Sequence, residues 1–133
     1  PTQIVGCIAG AILANLMFGQ AAVTFSSTVR LTPSHFLSEV VATAGLIVVI
    51  FALVRTGRAN LAPIAVGAYI GGAYFFTSST SFANPAITIG RMFSDTFAGI
   101  APGSAPGFIA AQLLGAAIGF GLVRWVFAEQ RIA

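Results

Sequence analysis

Long runs of apolar residues, almost free of charge, leave this chain few folds to choose from. Ile4 to Phe18 is interrupted only by Asn15, and Phe36 to Val54 carries Glu39 as its one charge. Leu61 to Phe76 has no charge, and Pro106 to Phe127 holds Gln112 inside and Arg124 near its end. A helix perpendicular to a bilayer needs about 20 apolar residues to cross the hydrocarbon core. The second and fourth runs reach that length unaided; the first and third need flanks such as Pro1 to Gln3 or Ala59-Asn60. Four membrane spans are expected. Only 7% of the 133 residues are charged, against about 25% in ordinary soluble domains. So few charges cannot cover a water-soluble globule, and lipid is the expected solvent.

The charges that remain exclude other classes. All six basic residues are arginines (Arg30, Arg55, Arg58, Arg91, Arg124 and Arg131), and the acids are Glu39, Asp95 and Glu129, for a net charge of +3. The arginines are scattered between apolar runs instead of gathered into a stripe, so nucleic acid is not an expected partner. Arginine at the ends of membrane helices is the simpler reading. A single Cys7 inside an apolar run and a single His35 make neither a disulfide framework nor a metal site, and no cofactor is expected. The chain opens on Pro1-Thr2-Gln3 without an initiator Met or a charged leader region. It reads as cut from something longer.

Val54-Arg55-Thr56-Gly57-Arg58 is a short basic loop, which the positive-inside rule assigns to the cytoplasm. Arg124 and Arg131 then fall on the same side after two further crossings, and the connections Gly19 to His35 and Thr77 to Ala105 fall outside. The latter is too apolar for an ordinary external loop, with Phe82, Pro85, Ile87, Ile89, Met92 and Phe93. Its middle, Ala86 to Phe93, has helical spacing of apolar residues but is too short to span. A half-helix over 84–94 that dips into the membrane and returns is expected.

An internal repeat is visible. Gln3, Gly6 and Gly10 match Gln112, Gly115 and Gly119 in the pattern Q-x-x-G-x-x-x-G. Glycines four apart share a helix face and let another backbone approach closely. The pattern is compatible with generic helix packing and with the matching last helices of two repeats.

Asn84-Pro85-Ala86 carries the chemistry. Asn84 is a good N-cap, Pro85 suits the first helical position, and Ala86 adds no bulk. A chance Asn-Pro-Ala in this length has a frequency of about 2%, so position decides. Here the tripeptide follows an uncharged span and the polar run Thr77-Ser78-Ser79-Thr80-Ser81, whose hydroxyls can satisfy backbone in a non-helical stretch. With its oxygen engaged as cap, Asn84 has its NH₂ free to donate toward a pore. A helix start held at mid-membrane carries partial positive charge. A cation meets that field and desolvation together, whereas water or a neutral hydroxyl meets a donor.

In these features the chain resembles the major intrinsic protein family, the aquaporins and glycerol facilitators. Ile4 to Phe18 resembles the family's third span, Phe36 to Gly45 the acidic start of the fourth, Thr80 to Thr88 the second re-entrant loop, and Phe108 to Phe127 the sixth. The resemblance implies an all-α membrane fold: an aquaporin-like right-handed helical bundle. Of it, this chain would supply the second inverted repeat and the last span of the first. The expected divisions are 1–18 for span three, 36–55 for span four, 61–77 for span five, 78–105 for the re-entrant loop and 106–127 for span six. Because the resemblance implies two Asn-Pro-Ala loops meeting at mid-membrane, the chain alone is expected to form no pore and to need the missing first repeat. It further implies a homotetramer in the cell membrane, with lipid, water and small neutral solutes as partners.

The resemblance also points to residues that tune passage. Family members commonly carry Arg directly after the second Asn-Pro-Ala, and here Ile87 stands there. Arg91, one turn on, is not expected to substitute for it; pairing with Asp95 four residues later is expected instead. The filter position of the fifth span falls near Gly72 or Ala73, and Phe82 supplies an aromatic wall. Small residues plus Ile87 imply a wide, weakly polar constriction that passes polyols such as glycerol as well as water. The family's acid, matched by Glu39, accepts from backbone N–H groups of the re-entrant loop; the alternative is a helix-end acid near the headgroups. For Gln3 and Gln112, bonding to neighbouring helices is favoured over lining the pore, and Trp125 fits the interfacial belt.

A passive channel is thus the expected function. A secondary transporter with broken helices and a structural membrane protein without transport are the alternatives. No nucleophile–base set, metal cluster or phosphate loop points to an enzyme.

Overall fold

The structure, a computed structural model, describes residues 1–128; Glu129 and Arg131 lie outside the described residues. Among those described there are helices and irregular connections and no strand. The helices are α1 (Thr2–Met17), α2 (Pro33–Arg55), α3 (Ala62–Phe76), α4 (Pro85–Gly90) and α5 (Ala105–Val126). A 3₁₀ turn, Ala59–Leu61, leads into α3, and another, Arg91–Phe93, continues α4.

Local chemistry sets most of these ends. Pro33, Pro63, Pro85 and Pro106 each stand in the first two positions of a helix, where a missing N–H costs nothing. Thr32 caps α2 by accepting from the His35 amide at 3.2 Å. α1 and α2 stop at Gly19 and Gly57, whose φ of +69° and +73° lie in the left-handed region. Behind those glycines Gln20 donates back to the Asn15 carbonyl, and Arg58 to that of Leu53, each at 2.8 Å, closing the helix end as a Schellman turn does.

With its 3₁₀ turn counted in, α3 joins α2 and α5 as a helix long and apolar enough to cross a membrane. α1 has 16 residues, about 24 Å at 1.5 Å per residue, short of the roughly 30 Å core; the four-span expectation depends on this helix. Large apolar side chains face outward, with Phe75 90% and Phe18 81% exposed. That is the reverse of a soluble protein and suits a lipid solvent.

α2 and α5 form the central pair. A Cβ on Gly115 would collide with the Val40 carbonyl oxygen, and one on Gly119 would stand 2.6 Å from that of Ala44. The two backbones therefore touch, with Ala42 and Ala111 sealed beside them. The same pattern in α1 has another fate: nothing lies within 4 Å of where side chains on Gly6 and Gly10 would be. Against α2 from the other side packs α3, through the Tyr69 hydroxyl, which donates to the Ala42 carbonyl at 2.8 Å. α4 leans on α1, where Gly90 meets the Cys7 backbone.

Candidate functional site

Between α3 and α4 the chain takes a conformation that its own residues resist. Thr80, Ser81 and Ala83 have φ of +64°, +45° and +49°, uncommon for residues with a Cβ and most unusual for a β-branched one. Each costs on the order of 1–3 kcal/mol. Glu39, fully buried on α2, supplies the compensation. Its Oε1 accepts from Ser79 Oγ at 2.7 Å and the Phe82 amide at 2.9 Å. Oε2 accepts from the Ala83 amide at 2.9 Å and Gln112 Nε2 at 2.8 Å. Gln112 Nε2 also reaches Thr88 Oγ1 at 2.8 Å. One carboxylate thus joins α2, the loop, α4 and α5. Hydrogen bonds to a charged acceptor contribute roughly 1.5–3 kcal/mol each, enough to offset the strain. Because the Phe82 and Ala83 amides turn toward Glu39, the antiparallel carbonyls of Ser81 and Phe82 point away from it. Neither accepts from any described residue.

The strained segment ends at Asn84, which is extended (φ −156°, ψ 123°) and accepts on Oδ1 from the Ala86 amide at 2.8 Å. Its Nδ2 donates to no described residue. α4 and the 3₁₀ turn that continues it run from Pro85 to Phe93 between Asn84 and Ser94, against the expected half-helix over 84–94, and their aligned peptides add to the field at the start of α4. The connection beyond it is held by Asn15, which the sequence showed only as an interruption of an apolar run. Asn15 Nδ2 donates to the carbonyls of Phe93 (2.9 Å) and Ala22 (3.1 Å), and its Oδ1 accepts from Ser94 Oγ at 2.7 Å.

A cavity of about 170 Å³ opens between α2, α3 and the 80–91 segment. One wall is apolar, made by Leu46, Val66 and Ile70; the other carries Thr80, Ser81, Asn84 and Arg91, with Tyr74, Phe82 and Ile87 completing it. Thr80 Oγ1 and Ser81 Oγ are buried without a partner, a rare condition for buried hydroxyls. The structure thus brings Asn84, Phe82 and Ile87 together but not Gly72 or Ala73. Gly72 is exposed and Ala73 fully buried, because the α3 residues facing the cavity are Val66, Ile70 and Tyr74, four apart on one helix face. Pro85 and Ala86 line a second, more open cavity of about 420 Å³, together with Asn84 and Pro1 to Ile4. Tyr74 escaped the sequence reading, which took Thr80 and Ser81 only as hydroxyls able to satisfy backbone and not as residues of a cavity wall.

Over 129 residues, 97% of this chain, the sequence is 48% identical to the aquaglyceroporin AqpS of Rhizobium meliloti (strain 1021). The chain belongs to the major intrinsic protein family. It spans 55% of that relative's length. No family model and no solved structure matches it. As a member of this family the chain is part of a multi-pass membrane protein, with three helices of spanning length.

Where the resemblance to the aquaporins implies an arginine, Ile87 is half-buried and lines the 170 Å³ cavity. The expected Arg91–Asp95 pair does not form. Asp95 Oδ1 accepts from the Ser27 amide (2.9 Å) and hydroxyl (3.1 Å), while Arg91 Nη1 donates to the Ala98 carbonyl at 3.1 Å. The helical spacing the pair needed ends at Phe93, since Ser94 is already extended. Instead Arg91 turns inward, its guanidinium 4.9 Å from the Phe82 ring centroid. Arg30 approaches the same ring at 5.4 Å. Arg30 is buried and spends its donors on the carbonyls of Gly99 (2.6 Å), Ser79 (3.4 Å) and Phe97. Burial, and after it the Arg91 cation, pulls the Arg30 guanidinium below its ordinary value.

Proposed function

We propose that this chain contributes to a passive channel for water and small uncharged solutes such as glycerol across the cell membrane, with Asn84 as the donor that permeating molecules meet. The observation that carries the reading is the divided use of the Asn84 amide. Its oxygen is spent on the Ala86 amide, while its NH₂ has no partner among the described residues, and Asn84 lines the cavity. A solute oxygen can replace a water there at little cost, and a cation cannot. The start of α4 adds partial positive charge at the same place. The name of the aquaglyceroporin relative supports the same class of solute.

Glu39 acts as the support of the loop, holding the amides of Phe82 and Ala83 so that Asn84 is presented to the cavity. Both of its oxygens are engaged, which favours passive conduction over ion-coupled transport, where a carboxylate in a span has to exchange partners.

Reconstitution of the intact protein tests the proposal. Proteoliposomes are expected to shrink faster than empty vesicles after an osmotic step and then to re-swell as glycerol enters. Glycerol entry at the rate of empty vesicles would remove the solute class, and an unchanged rate of shrinkage would remove the channel.

A further inference from the structure

Two arginines meet one aromatic ring, and only one of them is spent. Arg30 is buried, and its Nε, Nη1 and Nη2 all donate to carbonyls. Arg91 donates from Nη1 alone, to Ala98, so most of the five N–H groups of its guanidinium have no partner among the described residues. Arg91 is also a wall residue of the cavity lined by Asn84, Ile87, Thr80 and Ser81. No carboxylate among the described residues neutralises it: Asp95 is engaged by Ser27, and Glu39 binds the loop amides and Gln112.

Resting on the channel reading, we infer that Arg91 is a selectivity-determining residue: a fixed, uncompensated positive charge on the solute path, held in place by the Phe82 ring and the Ala98 carbonyl. Position and rigidity both follow from the contacts. A guanidinium over a ring face is favoured by the ring quadrupole, and the bond to Ala98 fixes its remaining freedom. The free N–H groups of Arg91, with the unpartnered Asn84 Nδ2, give the polar wall an excess of donors. Such a wall suits an uncharged solute rich in acceptor oxygens and disfavours any cation. The helical stretch from Pro85 to Phe93 carries only a partial charge at its start, whereas Arg91 supplies a whole unit of charge.

The test uses the intact protein in proteoliposomes, with water flux, sodium and proton leak, and entry of a series of polyols measured on the same preparations. Arg91→Gln keeps a donor for Ala98 and removes the charge; Arg91→Lys keeps the charge and loses the planar stack. The ratio of cation leak to water flux is expected to rise about tenfold or more in Arg91→Gln, given the size of a unit-charge interaction at these distances. It is expected to stay near wild type in Arg91→Lys, whose ranking of polyols shifts. Equal leak ratios in all three proteins would overturn the role of Arg91 while leaving the channel in place. A wild type with no water flux above empty vesicles would instead overturn the channel reading beneath it. If Arg91→Gln does not accumulate as folded protein, Arg91→Lys decides: a leak ratio raised as in an uncharged pore, despite the retained charge, overturns the inference.

Discussion

Replacing Glu39 by glutamine exchanges one carboxylate oxygen for an NH₂ group, and the structure gives its consequence bond by bond. The carboxylate receives four donors: Ser79 Oγ and the Phe82 amide on Oε1, the Ala83 amide and Gln112 Nε2 on Oε2. A glutamine offers one oxygen. The Ser79 hydroxyl can rotate to accept from the new NH₂. Gln112 can turn its amide, since its Oε1 has no partner. The backbone amides have no such freedom. Whichever way the new side chain is oriented, either Phe82 or Ala83 is left with a buried N–H facing another donor, at a cost of about 1–3 kcal/mol. The surviving bonds fall from charged to neutral strength, roughly 1 kcal/mol each, and relief of the buried charge returns part of this. A net loss of about 2–4 kcal/mol is expected, felt first by the left-handed residues Thr80, Ser81 and Ala83 that these bonds hold. Glu39→Ala strands the Phe82 and Ala83 amides together, leaving Gln112 Nε2 only its bond to Thr88, and is expected to do more damage. Thermal melting in detergent should rank wild type above Gln above Ala, and water flux at equal protein abundance should fall in the same order, with insertion retained in the glutamine variant. A Glu39→Gln protein with wild-type melting and wild-type flux would refute the reasoning.

Asn84 separates capping from donation. Asn84→Ala should lose about 1 kcal/mol with the cap, whereas Asn84→Asp should keep the cap and melt near wild type while its cation leak rises; equal leak in both would detach the Asn84 donor from selectivity. In the central pair, Gly119→Ala should cost about 1–3 kcal/mol by overpacking against Ala44 and Ile47. Gly121→Ala, with nothing within 4 Å, should melt at or slightly above wild type. Ile87→Arg places a guanidinium in a cavity of about 170 Å³ and should lower glycerol entry more than water flux. Equal reductions would place Ile87 away from the narrow part of the path.

Properties that depend on near neighbours were legible in the chain. Apolar runs announce helices for lipid because hydropathy sums over adjacent residues. Asn84-Pro85-Ala86 announces a helix start because a cap bonds its own next turn, and the structure has that bond. Asp95 shows where local spacing misleads: four residues from Arg91 implies a pair only while the helix continues, and it stops at Phe93. Identical words can also acquire different meanings. Gly6 and Gly10 repeat Gly115 and Gly119, yet only the second pair lies against a backbone, since a glycine specifies permission for contact and not the partner. Likewise two arginines of equal charge differ in use, Arg30 closed on three carbonyls and Arg91 open to the cavity. Tertiary structure alone decided which four donors Glu39 collects from residues 40 to 73 positions away. It also decided that α3 shows Val66, Ile70 and Tyr74 to the cavity in place of Gly72 and Ala73. Long-range hydrogen bonds and the rotation of a helix about its axis depend on where the rest of the chain lies, and no window of sequence contains that information.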